Sequence, residues 1–406
     1  MPQKPPISHK KNDTFTASFG VFFDKFMELK TKQRIAISAF FFLSGLCFSS
    51  WASRIPTIKT SLDINDAELG SLLFVMPISQ LFGLPVSGWL GSKFNTRWPL
   101  AIGMGIHAIS LYVIGLSQSI VMMVGSMFVF AFFMRILNIA MNAQALTLQK
   151  TYDKRINGSF HGLWSFGGIA GVGLSTLMIS FDVNIQMHLF IVATATLITT
   201  GVAFNFLIVD DLSPSGNKLT LSKPDKQILL LGILVLFAAI CEGGMFDWSG
   251  VYFKEVIKVD VFTAGYLIFM TCMALSRFIS DYIINIIGMK SMYLFSALLM
   301  AFGMSMAVIF PTFWPAMIGF SLVGIGTSSI FPMTFYLAGT SKKYSPSMAL
   351  SIVVTYAMIG VLFGPVLIGY IAHAVHLRAS FIFLTLAGLT IIPVSRIYFR
   401  KYGNER

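Results

Sequence analysis

Residues 228–250 read ILLLGILVLFAAICEGGMFDWSG, and this stretch decides the fold. About fourteen apolar residues precede its first charge, Glu242. At 1.5 Å per residue, a helix of about twenty such residues crosses the roughly 30 Å of hydrocarbon in a bilayer. Eleven further segments have the same character. They begin near Ile35, Leu69, Pro99, Ile120, Phe160, Gln186, Phe262, Ser291, Trp314, Pro346 and Ala379. Each sustains about 18 or more largely apolar residues, the length at which a transmembrane helix is expected. The expected fold is an all-α polytopic membrane protein with twelve transmembrane helices.

Composition agrees. Of 406 residues, 55% are hydrophobic and 11% charged, against about 25% charged in an ordinary soluble domain. A chain this long needs more charge than that to cover a surface facing water. Lipid-facing side chains need none. Phe (39) and Met (23) are abundant, as helix packing and lipid contact require. Cys47, Cys241 and Cys272 all fall inside apolar runs, which points to packing rather than disulfides or a metal site.

The net charge of +12 invites a nucleic-acid reading, but its distribution argues otherwise. Twenty-two of the 29 Lys and Arg lie in the N-terminal tail, the even-numbered loops and the C-terminal tail, among them Lys4, Lys10, Lys11, Lys93, Arg97, Lys150, Lys154, Arg155, Lys342, Lys343, Arg400 and Lys401. The odd-numbered loops hold only Arg54, Lys59, Lys254, Lys258 and Arg378. The positive-inside rule then places both termini in the cytoplasm, which demands an even number of spans. The first thirty-odd residues read as a cytoplasmic tail, with no cleavable signal peptide. The expected location is the inner (plasma) membrane.

A polar stretch from Asp210 to Lys226, carrying Pro214, Gly216 and Pro224, separates six spans from six. The expected organisation is a tail (1–34), a six-helix bundle (35–209), a linker (210–227), a second bundle (228–399) and a short tail (400–406). The halves echo one another. Cys47 and Cys241, Trp51 and Trp248, Gly70 and Gly265, and Gly171 and Gly364 recur at a nearly constant spacing of about 195 residues. Parallel repeats with a substrate site between them at mid-bilayer are a known transporter architecture.

Residues 88–97, GWLGSKFNTR, follow the second span. They resemble the loop signature of the major facilitator superfamily: a glycine, an acidic residue, basic residues and a second glycine. The resemblance implies that Lys93 and Arg97 meet the cytoplasmic gate. Here Ser92 stands in the acidic position and Asn95 in that of the second glycine. The second-half equivalent, Arg277 to Lys290, keeps Asp281 and Gly288 but has Asn285 where Ser92 falls. Gly360 and Gly364, ahead of Pro365, and Gly167 and Gly171 form small-xxx-small pairs suited to close helix packing. WASRIP (51–56), FHGLWSFGG (160–168) and EGGMFDW (242–248) are similar to a bacterial inner-membrane branch of YbjJ-like proteins, distantly similar to fucose–proton symporters. This resemblance covers nearly all of the chain after residue 34. It implies fold and transport, and says little about the substrate.

Ionisable groups inside spans cost roughly 2.5–3.5 kcal/mol on insertion scales, so each is a candidate for function. Glu242, near mid-membrane beside Gly243 and Gly244, suits reversible protonation; Asp247 and Trp248 lie nearer the outer interface. Arg135 shares a helical face with Asn138 and Asn142. A buried guanidinium needs an anion, from Glu242 or from an acidic solute, and the carboxamides offer the donors and acceptors that a sugar-like solute needs. An interhelical structural network is the competing reading. Related transporters often carry an acid where Asn138 stands, so proton coupling here falls to Glu242 or Asp247, or is absent.

Arg277 and Asp281, four residues apart, are expected to pair on one helix face as a gate element. His161 and Trp164 open the fifth span and are further gating candidates. His107 reads as a packing histidine, Asn65 or Asp66 as a helix cap, and Gln80 and Gln144 as cavity polar groups. No metal-like or nucleotide-binding spacing and no catalytic constellation is visible, so neither enzyme nor cofactor is expected. The expected function is secondary active or facilitative transport of a small polar organic solute, sugar-like or an organic anion, with or without proton coupling, by a monomer whose partners are the solute, protons where coupled and the lipid bilayer, with no nucleic acid. Drug or metabolite efflux, or a membrane sensor that kept the fold, stand as alternatives.

Overall fold

The computed structural model describes residues 28–153, 156–209, 225–341 and 343–403. The N-terminal lysines Lys4, Lys10 and Lys11, the loop cations Lys154, Arg155 and Lys342, the linker up to Pro224 and the last three residues lie outside the described residues.

The order of helices is α1 (Leu29–Ala52), α2 (Ile55–Ser61), α3 (Asp66–Leu73), α4 (Val75–Lys93), α5 (Arg97–Leu116), α6 (Ile120–Gln149), α7 (Asn157–Ser180) and α8 (Ile185–Phe204) before the linker. After it come α9 (Lys226–Tyr252), a π-helical turn (Phe253–Ile257), α10 (Ala264–Ile309), α11 (Phe313–Thr327), α12 (Ile330–Gly339), α13 (Pro346–Ala374) and α14 (Leu377–Tyr402). No strand occurs among the described residues. Hydrocarbon offers backbone N–H and C=O groups no partner, so each apolar run satisfies its own as a helix.

Eleven helices among the described residues are long and apolar enough to cross a membrane, one fewer than the sequence expectation. The difference lies in α10. The runs expected near Phe262 and Ser291 join into one 46-residue element, interrupted only at Gly288, whose φ of 78° and ψ of 157° leave the helical region. Side-chain-bearing residues rarely adopt this φ, and glycine does so at little cost. The chain therefore bends on one residue, whereas the loop between α4 and α5 opens through an extended Phe94. At α3 the expected cap is present. Asn65 Oδ1 accepts from Glu68 N at 3.0 Å, and Glu68 Oε2 accepts from Asn65 N at 2.8 Å, a reciprocal capping box.

The small-xxx-small pairs sit where helices cross closely. A Cβ on Gly167 would collide with the Phe42 carbonyl of α1, and one on Gly171 would lie 2.7 Å from the Leu46 carbonyl. In the second half a Cβ on Gly360 would lie 2.5 Å from the Leu236 carbonyl of α9. So α1 against α7 and α9 against α13, pairs at equivalent places in the sequence repeat, use the same device. Without a hydrophobic force between helices in lipid, such contact supplies the packing energy.

The starts of α1 and α9 and the end of α14 share one face of the bundle, the terminal face; α2, the start of α3 and the π-helical turn mark the far face. One apolar cluster runs continuously through both halves and includes Trp51 and Trp248. A second, around Phe40, Leu137 and Phe160, stays within the first half towards the terminal face.

Candidate functional site

Between the halves lies a cavity of about 430 Å3. Helix α9 contributes Glu242, Phe246 and Asp247; α1 contributes Phe48 and Trp51; α4 contributes Met76, Pro77 and Gln80. Met134, Trp164, Arg277, Phe331 and Val361 complete most of the wall. Glu242 Oε1 meets Arg277 Nη2 at 3.5 Å, with their side chains 14% and 36% exposed. This is a charged pair at the edge of an otherwise aromatic and aliphatic chamber. Opposite charges offset each other's desolvation, which lets both stand in a low-dielectric space. The Trp51 indole N–H and Arg277 Nε are enclosed without a hydrogen-bond partner among the described residues. Phe48 stands edge-on to Phe246 with centroids 6.1 Å apart, joining the halves across the chamber.

The structure gathers some sequence candidates here and leaves others elsewhere. Glu242, Asp247, Arg277 and Trp164 line the cavity. Arg277 turns to Glu242 instead of the expected Asp281, which is exposed on the same helix. The reason is geometric: Asp281 lies one turn closer to the Gly288 bend and away from the chamber. Arg135 is set behind the wall, where its Nη2 donates to Gln80 Oε1 at 2.9 Å, so Gln80 is the side chain that reaches the cavity. Asn142 Nδ2 donates to the Asn138 carbonyl at 2.7 Å and lies 3.3 Å from Asn138 Oδ1, a local pair along α6. Trp248 is fully buried in the core. His161 is exposed, its ring edge-on to Phe41 at 5.4 Å. Lys93 and Arg97 lie at the terminal face against aromatic rings.

Two polar residues hold structure. Gln144 Nε2 donates to Thr96 Oγ1 at 2.8 Å and to the Ile208 carbonyl at 2.9 Å, while its Oε1 accepts from Ile208 N at 3.0 Å. It ties α6 to the start of α5 and the chain after α8, so the expected cavity role is not the one it fills. His107 stacks on Phe130 at 4.0 Å and bonds that residue's carbonyl through Nδ1 at 3.0 Å, the packing histidine the sequence suggested.

Side-chain pairs that join the halves gather on the far-face side of the cavity. Ser49 Oγ meets Tyr266 Oη at 3.2 Å, and Thr176 Oγ1 meets Thr263 Oγ1 at 2.8 Å. Beyond them the π-helical turn, a rare geometry that often marks working sites, presents two consecutive charges to α2. Glu255 Oε1 binds Lys59 Nζ at 2.5 Å, while Lys59 also holds Asp66 Oδ1 at 2.6 Å. Lys254 Nζ donates to the Pro56 carbonyl at 3.1 Å and to Thr60 Oγ1 at 2.6 Å. In the sequence Lys59 and Lys254 are simply cations of two separate odd-numbered loops. Their partners lie about 195 residues apart, beyond the reach of local pattern.

A family model described as Major Facilitator Superfamily matches residues 37–291 and 266–405. An uncharacterised MFS-type transporter of Yersinia pestis is 29% identical over 366 residues, covering 90% of this chain and 95% of that protein. The membrane protein MosC of Rhizobium meliloti is 28% identical over 370 residues, covering 90% of both chains. Among solved structures, the nucleoside transporter NupG superposes with a TM-score of 0.72 at 15% identity, over 92% of this chain and 100% of that one. A bacterial homologue of the human lysosomal transporter Spinster, in an inward-facing unoccupied conformation, gives 0.70 at 13% identity, over 93% and 98%.

Proposed function

Because the chain belongs to the major facilitator superfamily, as a multi-pass membrane transporter of that type, we propose that it moves a small organic solute by alternating access of its two halves. The observation that carries this reading is the cavity of about 430 Å3 between the halves with the Glu242–Arg277 pair on its wall. A solute with a ring or aliphatic face suits Phe48, Trp51, Trp164 and Phe246. A polar or anionic group on it suits Arg277, Gln80 and the Trp51 N–H. Glu242 is the group proposed to take up and release a proton, and Asp247 stands beside it on the same wall.

In this reading residues 35–209 and 228–399 are the two moving bundles, joined by the linker 210–227, and the bend at Gly288 separates an eighth from a ninth pass to make twelve. The protein works as a monomer in the inner membrane with the terminal face in the cytoplasm, as the charge distribution supports. The far-face contacts then make the described conformation one closed to the outside. Membership of a YbjJ-like branch, distantly similar to fucose–proton symporters, belongs to the same proposal.

A second reading has its own support. Phe and Met residues, including Met76, Met134, Phe246 and Phe331, make up much of the wall, as a carrier exporting amphipathic compounds requires. Thermal-shift screening of purified protein separates the two. Stabilisation by sugars, nucleosides or organic acids supports the first, and stabilisation by lipophilic cations alone supports the second. A ligand that binds but never crosses proteoliposomes overturns both in favour of a sensor.

A further inference from the structure

The terminal face carries a second cavity, outside the transport pathway. It is a groove of about 450 Å3 between the end of α4, the start of α5 and α6, walled by Leu90, Phe94, Trp98, Ile102, Phe133 and Ile136. Trp98 is 50% exposed and neighbouring Trp89 51%, the amphipathic ring position found at membrane–water interfaces. Each tryptophan carries a cation. Lys93 Nζ lies 5.3 Å from the Trp89 ring, which itself meets Phe94 edge-on, and Arg97 Cζ lies 5.5 Å from the Trp98 ring and 4.2 Å from that of Phe204. Two positive groups thus stand beside the aromatic residues at the α4–α5 end of a trough with apolar walls: Arg97 against Trp98 of the wall, and Lys93 against Trp89, whose ring meets Phe94 of the wall.

Nothing nearby in sequence neutralises them. Residues 69–152 contain no Asp or Glu, and Ser92 occupies the position at which the loop signature has an acid. Among the described residues neither Lys93 nor Arg97 forms an ion pair, and Arg97 Nε is enclosed without a partner. A guanidinium and an ammonium flanked by rings, with open donors, are chemistry for a phosphate.

We propose that this groove binds an anionic glycerophospholipid, with an acyl chain along its walls and the headgroup phosphate held by Arg97 and Lys93. Charge complementarity selects the anionic class: a zwitterionic lipid fills the same walls but offers the two cations no net charge.

The test is retention of dioleoyl-phosphatidylglycerol against dioleoyl-phosphatidylcholine by the purified full-length protein, read by native mass spectrometry. A membrane-surface Lys or Arg contributes about 1 kcal/mol to anionic lipid, roughly a fivefold change in affinity. Wild type is expected to retain the anionic lipid preferentially. Lys93→Gln, at an exposed position, is expected to lower that preference about fivefold, and Lys93→Gln with Arg97→Gln further still. Ile102→Trp, which fills the trough and leaves both cations in place, is expected to lower it as well. Equal retention of the two lipids by wild type overturns the proposal, as does a wild-type preference persisting in the double variant. Displacement of the lipid by an equal concentration of inorganic phosphate also overturns it, because the groove then adds nothing to the binding.

Discussion

Glu255→Gln isolates the ion pair with Lys59, which among the described residues is the one that bridges the halves at the far face. Lys59 keeps its second carboxylate, Asp66, within its own half, so losing Glu255 removes one charged contact across the far face and leaves those of Lys254, Ser49 and Thr176 in place. Lys59 is 11% exposed and Glu255 37%. Breaking a fully buried pair costs about 3–5 kcal/mol and an exposed one about 0–1 kcal/mol. With one partner buried, the other screened, and Asp66 still neutralising Lys59, the loss is about 1.5 kcal/mol. That raises the ratio of far-face-open to far-face-closed molecules roughly tenfold. Spin labels on cysteines introduced at Ser61 and Asp260, both exposed, read the opening as a longer component in a pulsed dipolar distance distribution. Cys47 and Cys241 are buried and label poorly, and Cys272 is replaced. Neutralising Lys258, an exposed neighbour on the same turn, serves as the control. An unchanged distribution in Glu255→Gln, or an equal shift in Lys258→Gln, refutes the latch.

Three further outcomes follow from the packing. Gln144→Leu deletes three hydrogen bonds in the first half, so melting in detergent is expected to fall by the equivalent of about 1–3 kcal/mol while solute affinity is retained; lost affinity with unchanged melting would restore the cavity role. Gly167→Val drives a side chain into the Phe42 carbonyl and is expected to cost about 1–3 kcal/mol or more of overpacking, read as loss of monodisperse protein in size-exclusion chromatography, whereas the same change at Gly173, with open space around it, is tolerated. Gln80→Leu leaves Arg135 Nη2 without its acceptor, so stability drops and ligand affinity falls together, because the amide serves both the guanidinium and the cavity; a ligand affinity equal to wild type removes Gln80 from the site.

How far the sequence could be read depends on the range of each interaction. The spans, the caps and the glycine crossings were legible because they rest on apolar length and local spacing; Asn65 with Glu68 and Gly167 with Gly171 are set by residues three or four apart. The two apolar runs expected near Phe262 and Ser291 form one 46-residue element, because hydropathy cannot distinguish a loop from a bend at a single Gly288. At the site, Glu242 stood out as an ionisable group at mid-span, but its partner did not. The i, i+4 rule favoured Asp281 for Arg277, and tertiary placement across α9 and α10 prevailed. Arg135 was seen as a buried cation, while the residue that answers it, Gln80, lies on another helix and carries no charge to flag it. In the sequence Trp51 stands out through its spacing to Trp248 and as the first residue of WASRIP, neither of which marks it as a cavity residue. The repeat relates the two rings, yet one lines the cavity and the other is sealed in the core. The Lys59–Glu255 latch was invisible for the same reason, each partner looking like an ordinary charge in its own short loop.

The central claim is transport through the cavity that holds the Glu242–Arg277 pair, with Glu242 as the coupling acid. It is tested most directly in proteoliposomes, using a solute identified by thermal shift and comparing pH-gradient-driven flux with solute counterflow. Gradient-driven flux and counterflow are expected in wild type, and counterflow alone in Glu242→Gln. Gradient-driven flux undiminished in Glu242→Gln, or no flux of any bound solute in wild type, would contradict it.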